Sequence, residues 1–334
     1  MKSPPALNSD SALAAAVSVL RDASEIALAC HVSPDGDALG STLGLFHALR
    51  GSGRKVVASF PNPFVVGPTF SNLPGLDSLI PPEKFPSAPA VMVTFDCGSL
   101  DRLGDLEPAA RTAGELIVID HHISNTTYGT INVIDPNAAA SACVVLQLID
   151  ELGLELNRDA AFCLYVALVS DTGRFQYEST TPAVFEMARR LAEFDLPVAD
   201  ISRRLFEEDR FAYLQLLGDV LTTAELVPEN DLVWALVTEE MFVRHAVKRE
   251  EAEGLIDVVR RASEAQVALV MREETNGSTR GSLRSLGAVD VLTIAESFGG
   301  GGHRLAAGFT TDKSPAEVLV LVRAALTAAG GNHA

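Results

Sequence analysis

Residues 26–50, IALAC-HVSPDGD-ALGSTLGLFHALR, decide the fold of the first part of the chain. The stretch opens with five apolar residues, which predict a buried strand. From Ala38 to Arg50 its apolar residues recur at helical spacing, and Gly51 is a typical helix end. A short turn with one histidine and two aspartates lies between the two segments. A strand, a polar turn and a helix in this order indicate an α/β protein.

Three further apolar runs repeat this pattern and predict strands at 56–60, 91–95 and 116–119. Each run is continuously apolar and does not alternate, which is typical of parallel strands buried on both faces. We therefore expect an α/β fold whose N-terminal domain has a parallel sheet with helices on both sides.

The pattern changes after Asp135-Pro136. Helical spacing then dominates at 141–152, 158–169, 182–194 and 197–221. A second set of elements follows, with strands at 232–237 and 265–270, a strand-like run at 306–309 and a terminal helix at 315–329. We predict a first domain at 1–195, a helical linker at 196–218 and a smaller α/β domain at 219–332, with the active site in the cleft between the domains.

Composition limits the possible partners. The 334 residues carry a formal net charge of -18, and long nucleic acids are bound mainly through lysine and arginine. A nucleic-acid substrate should therefore be short, and long duplexes are not expected. The 4 cysteines are scattered, no signal-peptide pattern opens the chain and no run of 18 apolar residues occurs. We expect a cytoplasmic protein with reduced cysteines and no membrane partner.

Acidic residues and histidines cluster in four places, three of them directly after a predicted strand. The clusters are His31 with Asp35 and Asp37, then Asp96, then Asp120-His121-His122, and last Asp171. Ligand sites of open α/β sheets form at the carboxyl ends of the strands, so we expect these side chains to share one crevice. Taken singly, each aspartate could equally cap a helix or make a turn.

So many carboxylates at close range would raise one another's pKa, and cations relieve that repulsion. Carboxylates with a few imidazoles and no thiolate suit Mn²⁺ or Mg²⁺. The set is larger than one ion needs, and paired metals activate water and hold a phosphoryl group. The sequence therefore predicts hydrolysis of a phosphate ester or anhydride by water that two metal ions activate.

The motif from His31 to Ser41 and the triplet Asp120-His121-His122 resemble the first and third motifs of the DHH phosphoesterases. Asp96 and Asp171 fall where the second and fourth motifs of that family lie. Towards the C-terminus, the stretch 299–308 resembles the signature of the DHH-associated domain, and 282–285 resembles the stretch that precedes it. The resemblance is to the nanoRNase and pAp phosphatase branch, which includes phosphodiesterases of cyclic di-AMP and pApA.

The resemblance implies two Mn²⁺ ions, with Mg²⁺ or Co²⁺ as substitutes. One ion would be held by His31, Asp35 and Asp96, and the other by Asp37, Asp96, His121 and Asp171. Asp120 would orient His121, and His122 would contact the scissile phosphate. The implied catalytic residues are thus His122, Asp120 and Asp96.

Substrate contacts are expected mainly in the second domain. A glycine-rich run lets backbone N–H groups approach a phosphate, and arginine can grip it with two hydrogen bonds. The predicted substrate-binding residues are Arg284, Ser285, Gly300, Gly301, Gly302, His303 and, from the first domain, Arg102. Where members of the family often carry a threonine after Asp135-Pro136, this chain has Ser141, so a hydroxyl contact there is left open.

The expected substrates are pAp, pApA and RNA of two to five nucleotides, with cyclic di-AMP as a further candidate. Three other functions share some of the motifs: an inorganic pyrophosphatase, a RecJ-like single-strand exonuclease and a nucleotide-sensing protein without activity. The apolar segment 136–152 could support a homodimer, and burial in the core explains it equally well.

Overall fold

The computed structural model describes residues 9–330 and divides the chain into two compact units. The first unit extends to Glu208 and the second starts at Asp209. This boundary lies inside the linker predicted at 196–218.

Five parallel strands form the sheet of the N-terminal unit, in the order β2-β1-β3-β4-β5. The strands are β1 (Glu25–Cys30), β2 (Lys55–Ser59), β3 (Val91–Phe95), β4 (Glu115–Asp120) and β5 (Ile131–Ile134). The three central strands are almost wholly buried. Continuous apolar sequence therefore reflects cover on both faces, as predicted.

Seven α-helices belong to the described part of this unit. They are α1 (Ser9–Asp22), α2 (Gly36–Gly51), α3 (Glu107–Thr112), α4 (Ser141–Glu151), α5 (Arg158–Asp171), α6 (Pro182–Ala192) and α7 (Val198–Phe206). Helices α1, α2, α4 and α5 share one large core with one face of the sheet. The other face is covered by α3 and by the 3₁₀ turns of Leu100–Leu106.

Glycines bring α2 and α5 close together. A Cβ atom at Gly40 would lie 2.4 Å from the carbonyl oxygen of Cys163, and one at Gly44 would lie 2.7 Å from the side chain of Leu164. Gly36, one turn before Gly40, faces Ser170 in the same way. Because these contacts run from the start of α2 to the end of α5, they place Asp37 near Asp171.

Six strands form the mixed sheet of the C-terminal unit, in the order β10-β11-β9-β8-β7-β6. The strands are β6 (Glu225–Val227), β7 (Leu232–Val237), β8 (Val267–Glu273), β9 (Thr279–Ser285), β10 (Gly301–His303) and β11 (Ala306–Thr311). Only β7 and β8 pair in parallel among these described strands.

Five α-helices cover the two faces of this second sheet. They are α8 (Phe211–Thr223), α9 (Glu239–His245), α10 (Leu255–Val259), α11 (Val291–Glu296) and α12 (Pro315–Gly330). Helices α8, α9 and α10 pack on one face, and α11 and α12 pack on the other.

The predicted α/β class and the strands at 26–30, 91–95, 116–119 and 232–237 are confirmed. The single helix predicted at 197–221 is wrong, because the charged residues 207–210 separate α7 from α8. Strands β5, β6, β9 and β10 were not predicted. None has the continuous apolar sequence on which the other assignments depended.

Across residues 9–330, no helix is long and apolar enough to cross a membrane. All 4 cysteines are free, and Cys30, Cys97 and Cys163 are buried. The reduced state expected from their scattered positions is consistent with these surroundings.

Candidate active site

Three neighbouring strands end at the same edge of the N-terminal sheet. Cys30 of β1 lies beside Phe95 of β3, and Phe95 lies beside Ile119 of β4. The predicted residues lie at these strand ends: His31 follows β1, Asp96 follows β3, and Asp120 ends β4 and is followed by His121 and His122. Parallel strands thus gather side chains that are far apart in the sequence.

Asp96 lies at the centre of this group and is 2% exposed. One of its carboxylate oxygens is 3.6 Å from Nε2 of His31, and the other is 3.5 Å from Nε2 of His121. The hydroxyl of Ser141 donates a hydrogen bond of 3.1 Å to the same carboxylate. The backbone of Asp96 has φ of 51°, in the left-handed region that aspartate tolerates better than most residues.

Asp37 is fully buried in the first turn of α2. Its carboxylate accepts hydrogen bonds from the hydroxyl of Ser41 at 2.9 Å and from the backbone N–H groups of Ser141 at 2.5 Å and Ala142 at 3.1 Å. Since these amides open α4, Asp37 also joins that helix to the site. Its oxygen Oδ2 remains 3.9 Å from Nε2 of His121.

His121 lies near three carboxylates and a carbonyl. Its Nε2 is 3.1 Å from Oδ2 of Asp171 at the end of α5, and its Nδ1 is 3.1 Å from the carbonyl oxygen of Ala138. Our expectation that Asp120 orients this ring is wrong, since both ring nitrogens have these other neighbours.

Asp120 instead holds His122. Its Oδ1 is 2.7 Å from Nδ1 of His122 and accepts the backbone N–H groups of His121 and His122. Its Oδ2 accepts a hydrogen bond of 2.5 Å from the side-chain amide of Asn125. Asp120 is fully buried, so this network fixes both the turn and the His122 ring.

Two of the predicted residues lie at the outer side of the group. The side chain of Asp35 is 57% exposed, and its Oδ2 is 3.9 Å from Nε2 of His31. The other oxygen of Asp35 accepts the backbone N–H of Ala38 and so caps α2. The guanidinium of Arg102 is 3.1 Å from Nδ1 of His31. Arg102 is therefore next to the acidic group as well.

The protonation equilibria reflect crowded, buried charge. Burial and the neighbouring carboxylates of Asp96 and Asp171 raise the pKa of Asp37 well above its usual value. Burial also raises the pKa of Asp171, to about 6. Burial alone would lower the pKa of His121, but hydrogen bonds to Asp171 and Asp96 raise it to about 12. The pKa of Asp96 is held well below its ordinary range, because hydrogen bonds from His121 and His31 outweigh its burial.

The donor atoms fit divalent cations. Two groups have ligand atoms within 4.8 Å of one another and share Asp96: His31 with Asp35 and Asp96, and Asp37 with Asp96 and His121. Asp120 and His122 form a third such group with Asp96. Carboxylate oxygen and imidazole nitrogen are the donors of hard and borderline divalent ions. Buried carboxylates that raise one another's pKa would ionise fully beside such an ion.

The thiols near this group are poor donors. Cys97 follows Asp96 in the chain and is buried, and burial raises its pKa to about 11. Burial likewise raises the pKa of Cys143 in α4 to about 11. Both thiols stay protonated at neutral pH, whereas metals bind thiolates.

The predicted residues of the C-terminal unit divide between the two faces of its sheet. Arg284 lies opposite Ala306, and Ala306 lies opposite His303, so these three residues share a row across β9, β11 and β10. Side chains alternate along a strand, so Gly301 shares this face, while Ser285 and Gly302 face the other way. The Ser285 hydroxyl accepts backbone N–H groups of Gly287 and Val289, so it caps a turn.

The glycines of this segment have different surroundings. A Cβ atom at Gly300 would lie 2.2 Å from the carbonyl oxygen of Gly308, and one at Gly302 would lie 2.5 Å from that of Ala306. Gly301 would meet no atom within 4 Å. Gly300 and Gly302 are therefore needed for close backbone packing, and Gly301 leaves the sheet surface open.

Ser141 and Asn125 contact the central aspartates and were not among the predicted site residues. Because this chain lacks the family's threonine, the role of Ser141 was left open. In the structure the Ser141 hydroxyl donates a hydrogen bond to Asp96. Asn125 follows the Asp-His-His triplet by three residues in a turn, a position where a polar side chain commonly folds back on the chain.

Comparison with family models gives two matches. The model of the DHH family, N-terminal domain, matches residues 25–168, and that of the DHHA1 domain matches residues 235–329. The first covers β1 to most of α5, and the second covers most of the C-terminal sheet.

Curated relatives match over almost the whole chain. The bifunctional oligoribonuclease and PAP phosphatase NrnA of Thermus thermophilus is 34% identical over 91% of both chains. The Bacillus subtilis protein of the same name is 28% identical over 83% of this chain and 86% of its own length.

Solved structures show the same fold. An exopolyphosphatase-related protein from Bacteroides fragilis superposes with a TM-score of 0.88, at 24% identity, over 95% of this chain and 96% of that one. RecJ of Thermus thermophilus in complex with Mn²⁺ has a TM-score of 0.59 at 18% identity, and the match covers 97% of this chain and 56% of RecJ.

Proposed function

The chain belongs to the DHH family and carries a DHHA1 domain, and on this basis we propose that it is a metal-dependent phosphoesterase of short oligoribonucleotides and of 3'-phosphoadenosine-5'-phosphate (pAp). Linear pApA is included among the proposed substrates, and cyclic di-AMP is a further candidate. Two curated relatives, from Thermus thermophilus and Bacillus subtilis, are named as bifunctional oligoribonucleases and PAP phosphatases.

One observation carries the proposal. Asp96 is shared by two groups of potential ligands, one with His31 and Asp35 and the other with Asp37 and His121. Asp171, 3.1 Å from His121, would complete the second group. We propose two divalent ions here, Mn²⁺ by preference and Mg²⁺ or Co²⁺ as substitutes, since the donors are mostly carboxylates.

When bound, such a pair of ions activates water and neutralises phosphoryl oxygens. The protein's own part is positioning. Asp120 would keep the His122 ring fixed through Nδ1, so that Nε2 can donate to a phosphoryl oxygen as negative charge develops. Ser141 and the amides that open α4 would keep the carboxylates of Asp96 and Asp37 in place.

The preference for short substrates follows from charge. A net charge of -18 opposes the binding of a long polyanion, so affinity must come from a few placed cations. Arg102 beside His31, and Arg284 with His303 in the C-terminal unit, are the proposed phosphate contacts.

The test is a substrate panel with Mn²⁺: pAp, pApA, cyclic di-AMP, a five-nucleotide RNA, long single-stranded DNA and pyrophosphate. We expect release of AMP from pApA and of phosphate from pAp. The activity should be lost in EDTA and in the double variant Asp120→Ala, His121→Ala. Asp101→Asn, which removes an exposed carboxylate, is the matched control.

Two results would contradict the proposal. Faster cleavage of long DNA or pyrophosphate would assign the chain to another activity. Nucleotide binding without hydrolysis of any substrate would mean that the site serves sensing.

A further inference from the structure

Half of one face of the C-terminal sheet is bare of large apolar side chains. Helices α8, α9 and α10 pack on the side chains of β7 and β8. On the same face, the residues of β9, β11 and β10 are mostly small and partly exposed. They include Ser282, Gly308 and Gly301, and a Cβ atom at Gly301 would meet nothing within 4 Å.

Strand register arranges this bare face in three rows. Arg284, Ala306 and His303 form the first row, and Ser282, Gly308 and Gly301 form the second. Arg280 and Thr310 form the third. Arginine therefore stands in the first and third rows, about 13 Å apart along β9, with a floor of small residues between them.

The arginines are only partly neutralised. Oε1 of Glu253 is 2.8 Å from the guanidinium of the buried Arg272 and 3.1 Å from that of Arg280. Oδ1 of Asp257 is 3.1 Å from Nε of Arg260 and 3.6 Å from Nε of Arg284. Each of these two carboxylates is thus shared by two guanidinium groups, in a chain whose net charge is strongly negative.

Packing alone does not explain Arg280. It pairs across the sheet with Arg272, and like charges directly opposite each other destabilise a sheet. Its side chain is 48% exposed, whereas that of Arg272 is 3% exposed, and both guanidinium groups lie within 3.1 Å of Oε1 of Glu253. Arg280 therefore keeps about half of its side chain accessible at the surface, as a binding residue requires.

We propose that Arg280 is a second phosphate-binding position, one step beyond Arg284, which binds the outer phosphate of substrates longer than a dinucleotide. The row of small residues between the two arginines, Ser282, Gly308 and Gly301, would let the intervening nucleotide lie flat against the sheet. This inference rests on the proposed function and names the residue that sets its preference for substrate length.

The test compares Arg280→Ala and Arg280→Lys with Arg323→Ala. Arg323 is a matched control, because it lies on α12, is 42% exposed and pairs with Glu229. We expect Arg280→Ala to lower the ratio of kcat/KM for a pentanucleotide to that for pApA about tenfold, the value of a charge-assisted hydrogen bond. Arg280→Lys should keep most of the ratio, and Arg323→Ala should keep all of it.

Binding without turnover gives a second readout. Calorimetric titration of the pentanucleotide in EDTA, at several salt concentrations, should show a salt slope smaller by about 0.7 in Arg280→Ala, the contribution of one phosphate of a single strand. A merely structural role would not change that slope. Melting temperatures would show that each variant is folded.

The outcomes separate the two claims. If the wild type hydrolyses short RNA but Arg280→Ala changes neither ratio nor slope, the inference is wrong and the proposed function stands. If the wild type hydrolyses nothing but the slope changes, the phosphate position stands and the enzyme assignment fails. If the wild type neither binds nor cleaves the pentanucleotide, both fail.

Discussion

The carboxylates at the edge of the N-terminal sheet and the arginines on the C-terminal sheet are held in opposite ways. Asp37, Asp96 and Asp120 are at most 2% exposed, and each accepts hydrogen bonds from neighbouring side chains or amides. The side chains of Arg280 and Arg284 are 48% and 27% exposed, and each pairs with a carboxylate that another arginine also contacts. The first arrangement fixes charge for chemistry, and the second leaves donors accessible for recognition.

Among the buried carboxylates, we expect Asp96→Asn to have the largest effect. The amide keeps the shape of the carboxylate but removes the charge that both ligand groups share. We expect kcat/KM for pApA to fall about 10³-fold, as when a transition-state contact is lost. The activity should be measured beside Asp101→Asn, and a loss below tenfold would show that Asp96 is not central.

Divalent cations should stabilise one region and leave the other unchanged. At a hundred times its Kd, a bound ion adds about 2.7 kcal/mol to the stability of the state that binds it. Hydrogen exchange with Mn²⁺ and with EDTA should therefore show added protection around β1, β3 and β4 and none in β9. Equal protection of both sheets would break the comparison, and Asp96→Asn should abolish the effect.

The adjacent Gly300 and Gly301 form a matched pair on the exposed side. Alanine at Gly300 would press on the backbone of Gly308, so we expect about 2 kcal/mol of destabilisation from overpacking. Alanine at Gly301 meets open space and should change the free energy of unfolding by less than about 0.5 kcal/mol. Urea denaturation of both variants decides the matter, and equal costs would mean that the surface at Gly301 is covered.

Asn125→Ala is the mildest test of the buried network. It removes the hydrogen bond to Oδ2 of Asp120 and leaves the His122 contact in place. We expect kcat to fall about tenfold with little change in KM, as for the outer partners of metal sites. Asn137→Ala, an exposed asparagine on a nearby loop, is the control. A change in KM alone would assign Asn125 to substrate binding.

The sequence predicts the position of a site residue well where a single structural rule determines it. Continuous apolar runs predict buried parallel strands, and the ends of such strands meet at one edge, so the residues themselves suffice to group His31, Asp96 and Asp120. Asp171 was grouped with them although it follows a helix and not a strand, and its place depends on how α5 lies against α2. That packing depends on Gly36, Gly40 and Gly44, whose spacing is compatible with several neighbours.

The C-terminal face could not be predicted because its strand carries no clear apolar pattern. In β9 only Leu283 is a large apolar residue, so the alternation that places Arg280 with Arg284 has little hydrophobic signal. The rows across the sheet also depend on pairing with β11 and β10, and sequence does not specify that register. Asp120 was assigned to the wrong histidine for a similar reason. Sequence does not show which of two adjacent histidine rings turns towards the carboxylate of Asp120.

The left-handed backbone at Asp96 limits how this centre could be redesigned. A protein engineer who wished to recruit a softer metal would place cysteine or histidine where the shared carboxylate now lies. Histidine is at least among the residues that tolerate positive φ, whereas a β-branched or bulky residue there would be a conformational outlier. The choice of metal in this scaffold is thus restricted by the backbone before any ligand chemistry is considered.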